Sequence, residues 1–360
     1  MPSGVIQVMA SETQENTIKQ TGLVYDSIFL EHSKPGHPER PERIRSAHEG
    51  LIQTGLLDQS VLVPARAAAE DELRLNHGEA YIQRVRSVSG QGGGQLDPDT
   101  YVNSQTWQAA ILAAGGLIDL SLSVCQGDLK NGFALVRPPG HHALTDRAMG
   151  FCLFNNVAIA AKVILRQPEM DRVAIVDFDV HHGNGTQAVF EADPRVLYVS
   201  THQMPHFPGT GFWDESGVGD GKGTLLNIPL SYGMGDEAFA QCYESLVLPK
   251  LGAFNPQMIF VSAGYDTHWQ DPLAGLILST NGQAQLSSML VDAASRLCDE
   301  RIVFTLEGGY DLEVISHGVA NSVRALLGQE NFSDPFGPAP DSSPMDARLL
   351  ENLIQLHGLG

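Results

Sequence analysis

The stretch Val176-Asp-Phe-Asp-Val-His-His-Gly-Asn-Gly185 sets two carboxylates and two imidazoles close together, directly after the apolar run Val173–Val176. Such a run reads as a β-strand, and a strand places residues i, i+2 and i+4 on one face. Asp177, Asp179 and His181 are therefore expected to point the same way, where the strand gives out into a loop. Carboxylate oxygen combined with imidazole nitrogen suits a borderline divalent ion such as zinc. A short Asp-x-Asp also occurs as a solvated strand end leading into a helix N-cap, so its meaning depends on what else converges on it.

Three other apolar runs end in the same kind of segment. Phe133–Val136 runs into Arg137-Pro-Pro-Gly-His-His142, Met258–Ser262 into Ala263-Gly-Tyr-Asp266, and Ile302–Leu306 into Glu307-Gly-Gly-Tyr310. Further strands are predicted at Leu23–Tyr25, Val196–Ser200 and Leu225–Ile228. Helices are predicted near Pro41–Thr54, Asn103–Val124, Asn155–Leu165, Asp236–Leu251, Gly282–Leu297 and Val314–Leu327. Short apolar strands alternating with amphipathic helices indicate an open, mostly parallel sheet of about eight strands covered by helices on both faces. In such α/β sheets ligands bind outside the carboxyl ends of the strands, so the four polar strand exits can share one cleft. Residues 1–20 read as a flexible tail and 21–360 as one domain; 31–42 and 91–100 read as polar loops.

Composition narrows the class. The chain has 22 Lys and Arg against 42 Asp and Glu, a net charge of -20. That balance opposes direct nucleic-acid binding, which needs clustered cations, and mildly favours cationic partners. The four cysteines, Cys125, Cys152, Cys242 and Cys298, form no CxxC pair and read as reduced thiols. With no signal-peptide pattern and no apolar run read as long enough to cross a bilayer, a cytoplasmic protein is expected. The sequence leaves monomer and homo-oligomer open.

Six motifs carry a family resemblance: RPPGHHA at Arg137–Ala143, GFCLFNN at Gly150–Asn156, DFDVHHGNGT at Asp177–Thr186, FPGTG at Phe207–Gly211, SAGYD at Ser262–Asp266 and EGGY at Glu307–Tyr310. In this order they resemble the zinc-dependent histone deacetylases, in particular the class II branch and its bacterial amidohydrolase relatives, with an arginase/deacetylase-like fold. The resemblance implies one catalytic zinc held by Asp179, His181 and Asp266. It also implies a potassium ion held by Asp177, Asp179, His181, Ser200 and Thr201, mostly through oxygens.

The resemblance further pairs His141 with Asp177, and His142 with Asn184 where many relatives carry Asp. A neutral amide cannot stabilise an imidazolium as a carboxylate does, so the two histidines should differ in basicity. Which is the general base is open from sequence; His142 is favoured, with His141–Asp177 as the tuning pair. Tyr310 is implied as the hydrogen-bond donor to the substrate carbonyl and oxyanion. Phe151 and Phe207 resemble the walls of a substrate channel, with the Gly150 carbonyl beside them. Asp97 or Asp99 is the candidate to hold the substrate backbone.

The expected reaction is metal-assisted hydrolysis of an N-acyl-lysine side chain in a protein or peptide, acetyl first and longer acyl groups in addition. An acetylpolyamine is the alternative substrate. Polyamine-selective members of one branch carry a Glu where this chain has Leu273, which leans toward acyl-lysine. An inactive acyl-lysine binder should lack a ligand or Tyr310, and neither is missing. A binuclear manganese hydrolase of the arginase kind would need further Asp and His ligands.

Overall fold

The computed structural model describes residues 20–340 and 342–359; the expected tail at 1–20 lies, except for Gln20, outside the described residues. Among the described residues ten strands occur in chain order: β1 Thr21–Val24, β2 Val61–Val63, β3 Gly93–Asp97, β4 Thr100–Asn103, β5 Asn131–Ala134, β6 Val173–Asp177, β7 Val196–Gln203, β8 Leu225–Leu230, β9 Ile259–Ala263 and β10 Ile302–Leu306. Eight of them form one sheet in the order β2-β1-β5-β10-β9-β6-β7-β8. Every pairing within it is parallel. β5, β6, β9 and β10 are buried along their whole length, as expected of strands covered on both sides, and all but β5 are rich in Val, Ile or Phe.

One group of helices covers the sheet with Pro41–Gln53, Leu312–Leu326 and Thr280–Leu297 packed side by side. Thr106–Gln126 and Asn156–Ile164 form another group, the former resting on β1, β5 and β10. Thr106–Gln126 corrects one expectation, because its length and apolar composition would suit a bilayer. Here the same apolarity serves the core, since Ala109–Leu117 is buried without a break. Two further differences concern local structure. The glycine-rich segment read as a loop pairs as the β3–β4 hairpin. The helix expected over Asp236–Leu251 passes through a π-helical turn at Tyr243–Val247, next to Pro249, which has no N–H to donate and crowds the carbonyl four residues earlier.

Because the sheet is parallel and β5-β10-β9-β6 are consecutive neighbours, their four carboxyl ends open side by side on one edge. A fifth segment reaches that edge through buried charge. Glu39 is fully buried and accepts from Arg43 Nη1 at 2.9 Å and Arg137 Nη2 at 2.7 Å. Arg43 in turn donates to the carbonyls of Gly309 and Glu307, each at 2.5 Å. Burial alone would raise the Glu39 pKa, but the guanidinium charges of Arg137 and Arg43 reverse this and hold it at about 2.

Replacing Glu39 by Gln should leave two buried guanidiniums under-neutralised, a loss of about 3–5 kcal/mol. A lowered denaturation midpoint with unchanged slope would show it; wild-type stability would mean the network carries no weight. The sign with pH follows from the depressed pKa. The contribution of Glu39 is complete above its ordinary value of 4.5 and disappears as pH falls through about 2.

Candidate active site

β6 stops at Asp177, and the turn beyond it breaks the period-two alternation. Asp177, Asp179 and His181 therefore do not act as one set. Asp177 turns to His141, its Oδ2 3.0 Å from Nδ1, and accepts from the Tyr198 hydroxyl at 3.0 Å. Asp179 and His181 instead meet Asp266 from the end of β9, with one ligand atom from each lying within 4.8 Å of the others. His181 Nδ1 lies 3.0 Å from Asp179 Oδ1 and 3.3 Å from Asp266 Oδ2.

The cluster has the donor atoms to hold a cation. All three side chains are buried, and Asp266 Oδ2 is a buried oxygen without a hydrogen-bond donor. Its other oxygen accepts from the Val180 amide at 3.0 Å, while Asp179 Oδ2 accepts from the Gly308 amide at 2.7 Å, so both carboxylates are aimed by backbone. Gly308 has to be glycine, since a Cβ there would lie 2.0 Å from Asp266 Oδ2. Burial raises the Asp266 pKa and Asp179 raises it further. Burial lowers that of His181, but the adjacent Asp179 and Asp266 carboxylates overcome it and lift it to about 10. Positive charge is favoured strongly here, and a divalent ion held by these three residues would displace the proton from His181.

His141 and His142 come from the loop after β5, with ring centroids 4.0 Å apart. Their basicities diverge. Burial lowers His141, but the carboxylates of Asp177, Asp179 and Glu307 raise it to about 10. Burial also lowers His142, and there the neighbouring His141 and His181 drive it further down. Its Nδ1 lies 2.8 Å from Asn184 Oδ1. Glu307, at the end of β10, ties the loops together by accepting from the Gly140 and His141 amides at 2.7 and 3.2 Å.

A tunnel of about 200 Å³ leads down to these groups. His141, His142, His181 and Tyr310 line it, with Gly150, Phe151, Phe207 and Leu273 along its walls. Phe151 has φ +68°, a left-handed conformation unusual for a bulky residue, and packs edge-on against Tyr310 with centroids 6.0 Å apart. Gly150 cannot carry a side chain, since a Cβ would lie 2.3 Å from His142 Cδ2. Phe207, 38% exposed, stands edge-on to His142 at the mouth. Burial raises the Tyr310 phenol well above its ordinary pKa, so it is a neutral donor.

This arrangement sits on a chain whose residues 37–326 match the family model for the histone deacetylase domain. The chain belongs to the histone deacetylase family. A probable deacetylase of Archaeoglobus fulgidus is 42% identical over 297 residues, covering 81% of this chain and 82% of the relative. The chloroplastic histone deacetylase 14 of Arabidopsis thaliana is 40% identical over 332 residues, covering 87% of this chain and 78% of the relative. The crystal structure of the HDA15 HD domain superposes with a TM-score of 0.87 at 36% identity, covering 94% of each chain. The expected family and fold are thus shown, and the protein is a deacetylase, a hydrolase. Histone deacetylases are generally zinc-dependent, and the donor set of Asp179, His181 and Asp266 fits that ion.

Other expected deacetylase residues fall out differently. Asp99 lines the tunnel and Asp97 does not; Asp97 lies behind it, its Oδ1 3.4 Å from the Asp99 amide. Ser200 Oγ is engaged with His202 Nδ1 at 2.9 Å, and Thr201 Oγ1 lies 3.5 Å from the Asp177 carbonyl oxygen. A potassium ion at these residues rests on the resemblance alone.

Three deacetylase residues escaped the sequence reading. His206 lines the tunnel, stacks on His181 with centroids 5.0 Å apart, and has Nε2 3.0 Å from the Leu273 carbonyl oxygen. Cys152 lines the inner wall; its place inside GFCLFNN was the available signal. Asp271 bridges two pieces of the wall, accepting from the Tyr310 amide at 2.7 Å and the Leu273 amide at 2.9 Å. Asp271→Ala should release both and lower kcat by up to about 10²-fold through misplacement of Tyr310, with metal content unchanged. Unaltered kcat in that variant would show that the Tyr310 loop is held by other contacts.

Proposed function

We propose that this deacetylase removes acetyl groups, and longer acyl groups that the tunnel admits, from N-acyl-lysine side chains of proteins or peptides, using one zinc ion held by Asp179, His181 and Asp266. The observation that carries the reading is the meeting of that buried ligand set with the His pair and Tyr310 at the inner end of a slender tunnel. Bound there, zinc would supply Lewis-acid polarisation of the amide carbonyl and a more acidic water.

The side chains supply the rest. Asn184 Oδ1 is an acceptor, which assigns the proton of His142 to Nδ1 and leaves Nε2 with its lone pair. The depressed basicity keeps His142 neutral, ready to take a proton from the attacking water at Nε2 and pass it to the departing amine. His141 stays an imidazolium against Asp177, and its charge favours the developing oxyanion. The Tyr310 hydroxyl donates to the same oxygen. Phe151 and Phe207 clasp the methylene chain and exclude water. Asp99 holds the substrate backbone at the mouth. Support for acyl-lysine over acetylpolyamine comes from apolar Leu273 at the rim. The potassium ion at Asp177, Asp179, His181, Ser200 and Thr201 and a cytoplasmic location complete the proposal.

The test is a panel of acetyl-lysine peptides, longer acyl-lysine peptides and acetylpolyamines, assayed with zinc-loaded protein and a metal count per chain. Hydrolysis of the peptides with one zinc per chain is expected. Turnover of acetylpolyamines alone would replace the substrate reading, and two metals per chain would replace the mononuclear one.

A further inference from the structure

A second concavity, a groove of about 810 Å³, opens beside the tunnel and shares Leu273 and Tyr310 with it. Its floor is the proline-rich segment that carries Lys34, His37 and Arg40, and its far wall is the first turn of the helix Pro41–Gln53 with Glu42 and Arg45. Arg45 is matched by Glu42 at 3.5 Å. Lys34 and Arg40 are exposed and, among the described residues, belong to no ion pair. Lys34 Nζ instead stands 5.9 Å from the Tyr101 ring centroid, which leaves its charge open to solvent. The positive end of the helix dipole adds to the same field. On a chain of net charge -20 the groove lining, with Lys34, Arg40 and Arg45 against Glu42, is a local reversal of sign beside a tunnel whose own lining includes Asp99.

The tunnel admits only a slender side chain, so a polypeptide delivering an acyl-lysine must lay its backbone across the mouth. Residues flanking that lysine then lie over the groove. We infer that Lys34 and Arg40 select polypeptide substrates with Asp or Glu close to the acyl-lysine. The inference rests on the acyl-lysine reading and deepens it: a polycationic substrate would be repelled where an acidic flank is attracted. Exposed charges at a rim act on encounter and ground-state binding, so the preference falls on KM and weakens with salt.

The zinc-loaded full chain should be given acetyl-lysine peptides of one length carrying two Glu, two Gln or two Lys, on either flank, together with a single-residue acetyl-lysine derivative. At low ionic strength the Glu peptide of at least one flank should exceed its Gln counterpart by about threefold to tenfold in kcat/KM, through KM, and the gap should close at high salt. In Lys34→Glu/Arg40→Glu, and more mildly in Lys34→Gln/Arg40→Gln, the preference should vanish or invert while the single-residue derivative keeps its wild-type rate. Glu and Gln peptides within twofold of each other, a gap that high salt leaves open, or a preference unchanged in either double variant would overturn the inference. An active derivative with undiscriminated peptides sinks only the groove; a derivative and peptides all left unhydrolysed sink the acyl-lysine reading and this inference with it.

Discussion

Tyr310→Phe is expected to lower kcat by about 10²–10³, the usual loss when one donor to a developing oxyanion is removed. The substitution deletes only the hydroxyl. The ring keeps its edge contact with Phe151 and its place under the Arg43 guanidinium, whose Cζ is 4.8 Å from the ring centroid. The loop stays pinned by the Tyr310 amide on Asp271. Stability and metal content should therefore match wild type, and KM should change much less than kcat, because the bond strengthens as charge builds on the oxygen. Steady-state kinetics on an acetyl-lysine peptide with a parallel zinc determination decides it. A kcat within a few-fold of wild type would remove Tyr310 from the chemistry and leave it a wall residue.

A larger effect is expected from Asp266→Asn. The amide retains an oxygen for the Val180 amide, so the backbone at the end of β9 has no reason to move. The loss is one of two buried negative charges around His181 Nδ1. Zinc affinity should collapse, and kcat/KM should fall by more than about 10³, equivalent to the several kcal/mol that metal polarisation supplies. The metal-free variant, however, should melt no lower than metal-free wild type, since burial and Asp179 both oppose the Asp266 charge. That pairing of lost zinc with retained stability separates a ligand from a structural cap. A variant that binds zinc stoichiometrically would refute the ligand assignment; one that melts early would make Asp266 a structural support.

Much of this layout could be read before any coordinates. The strands β6, β9 and β10 are continuous apolar runs that end in Gly, Asp, His and Tyr, and parallel pairing brings such ends together with little further information. What failed did so for local or long-range reasons. Period-two alternation extended past Asp177, where the strand has already turned, groups Asp177 with Asp179 and His181 although its carboxylate faces His141. Gly93–Asn103 has almost no apolar pattern, and its hairpin is held by backbone pairing that composition hides. Glu39 sits in a polar, proline-rich segment that reads as solvated, because its partner Arg137 is 98 residues away in sequence. His206 and Asp271 carry no spacing signal, since His206 meets one backbone carbonyl across the tunnel wall and Asp271 accepts from two amides, one of them 39 residues away.

The strand order also dictates when activity can arise as the chain is made. β10 is the last strand synthesised, yet it sits between β5 and β9 near the middle of the sheet. Without β10 the strand order divides into β2-β1-β5 and β9-β6-β7-β8, and the edges of β5 and β9 that would face each other are open to a wrong neighbour. Glu307, Gly308 and Tyr310 emerge immediately after the strand that closes this seam. A chain that stops before that point lacks both the centre of its sheet and the tyrosine of its tunnel, so closure of the seam and delivery of Tyr310 arrive together.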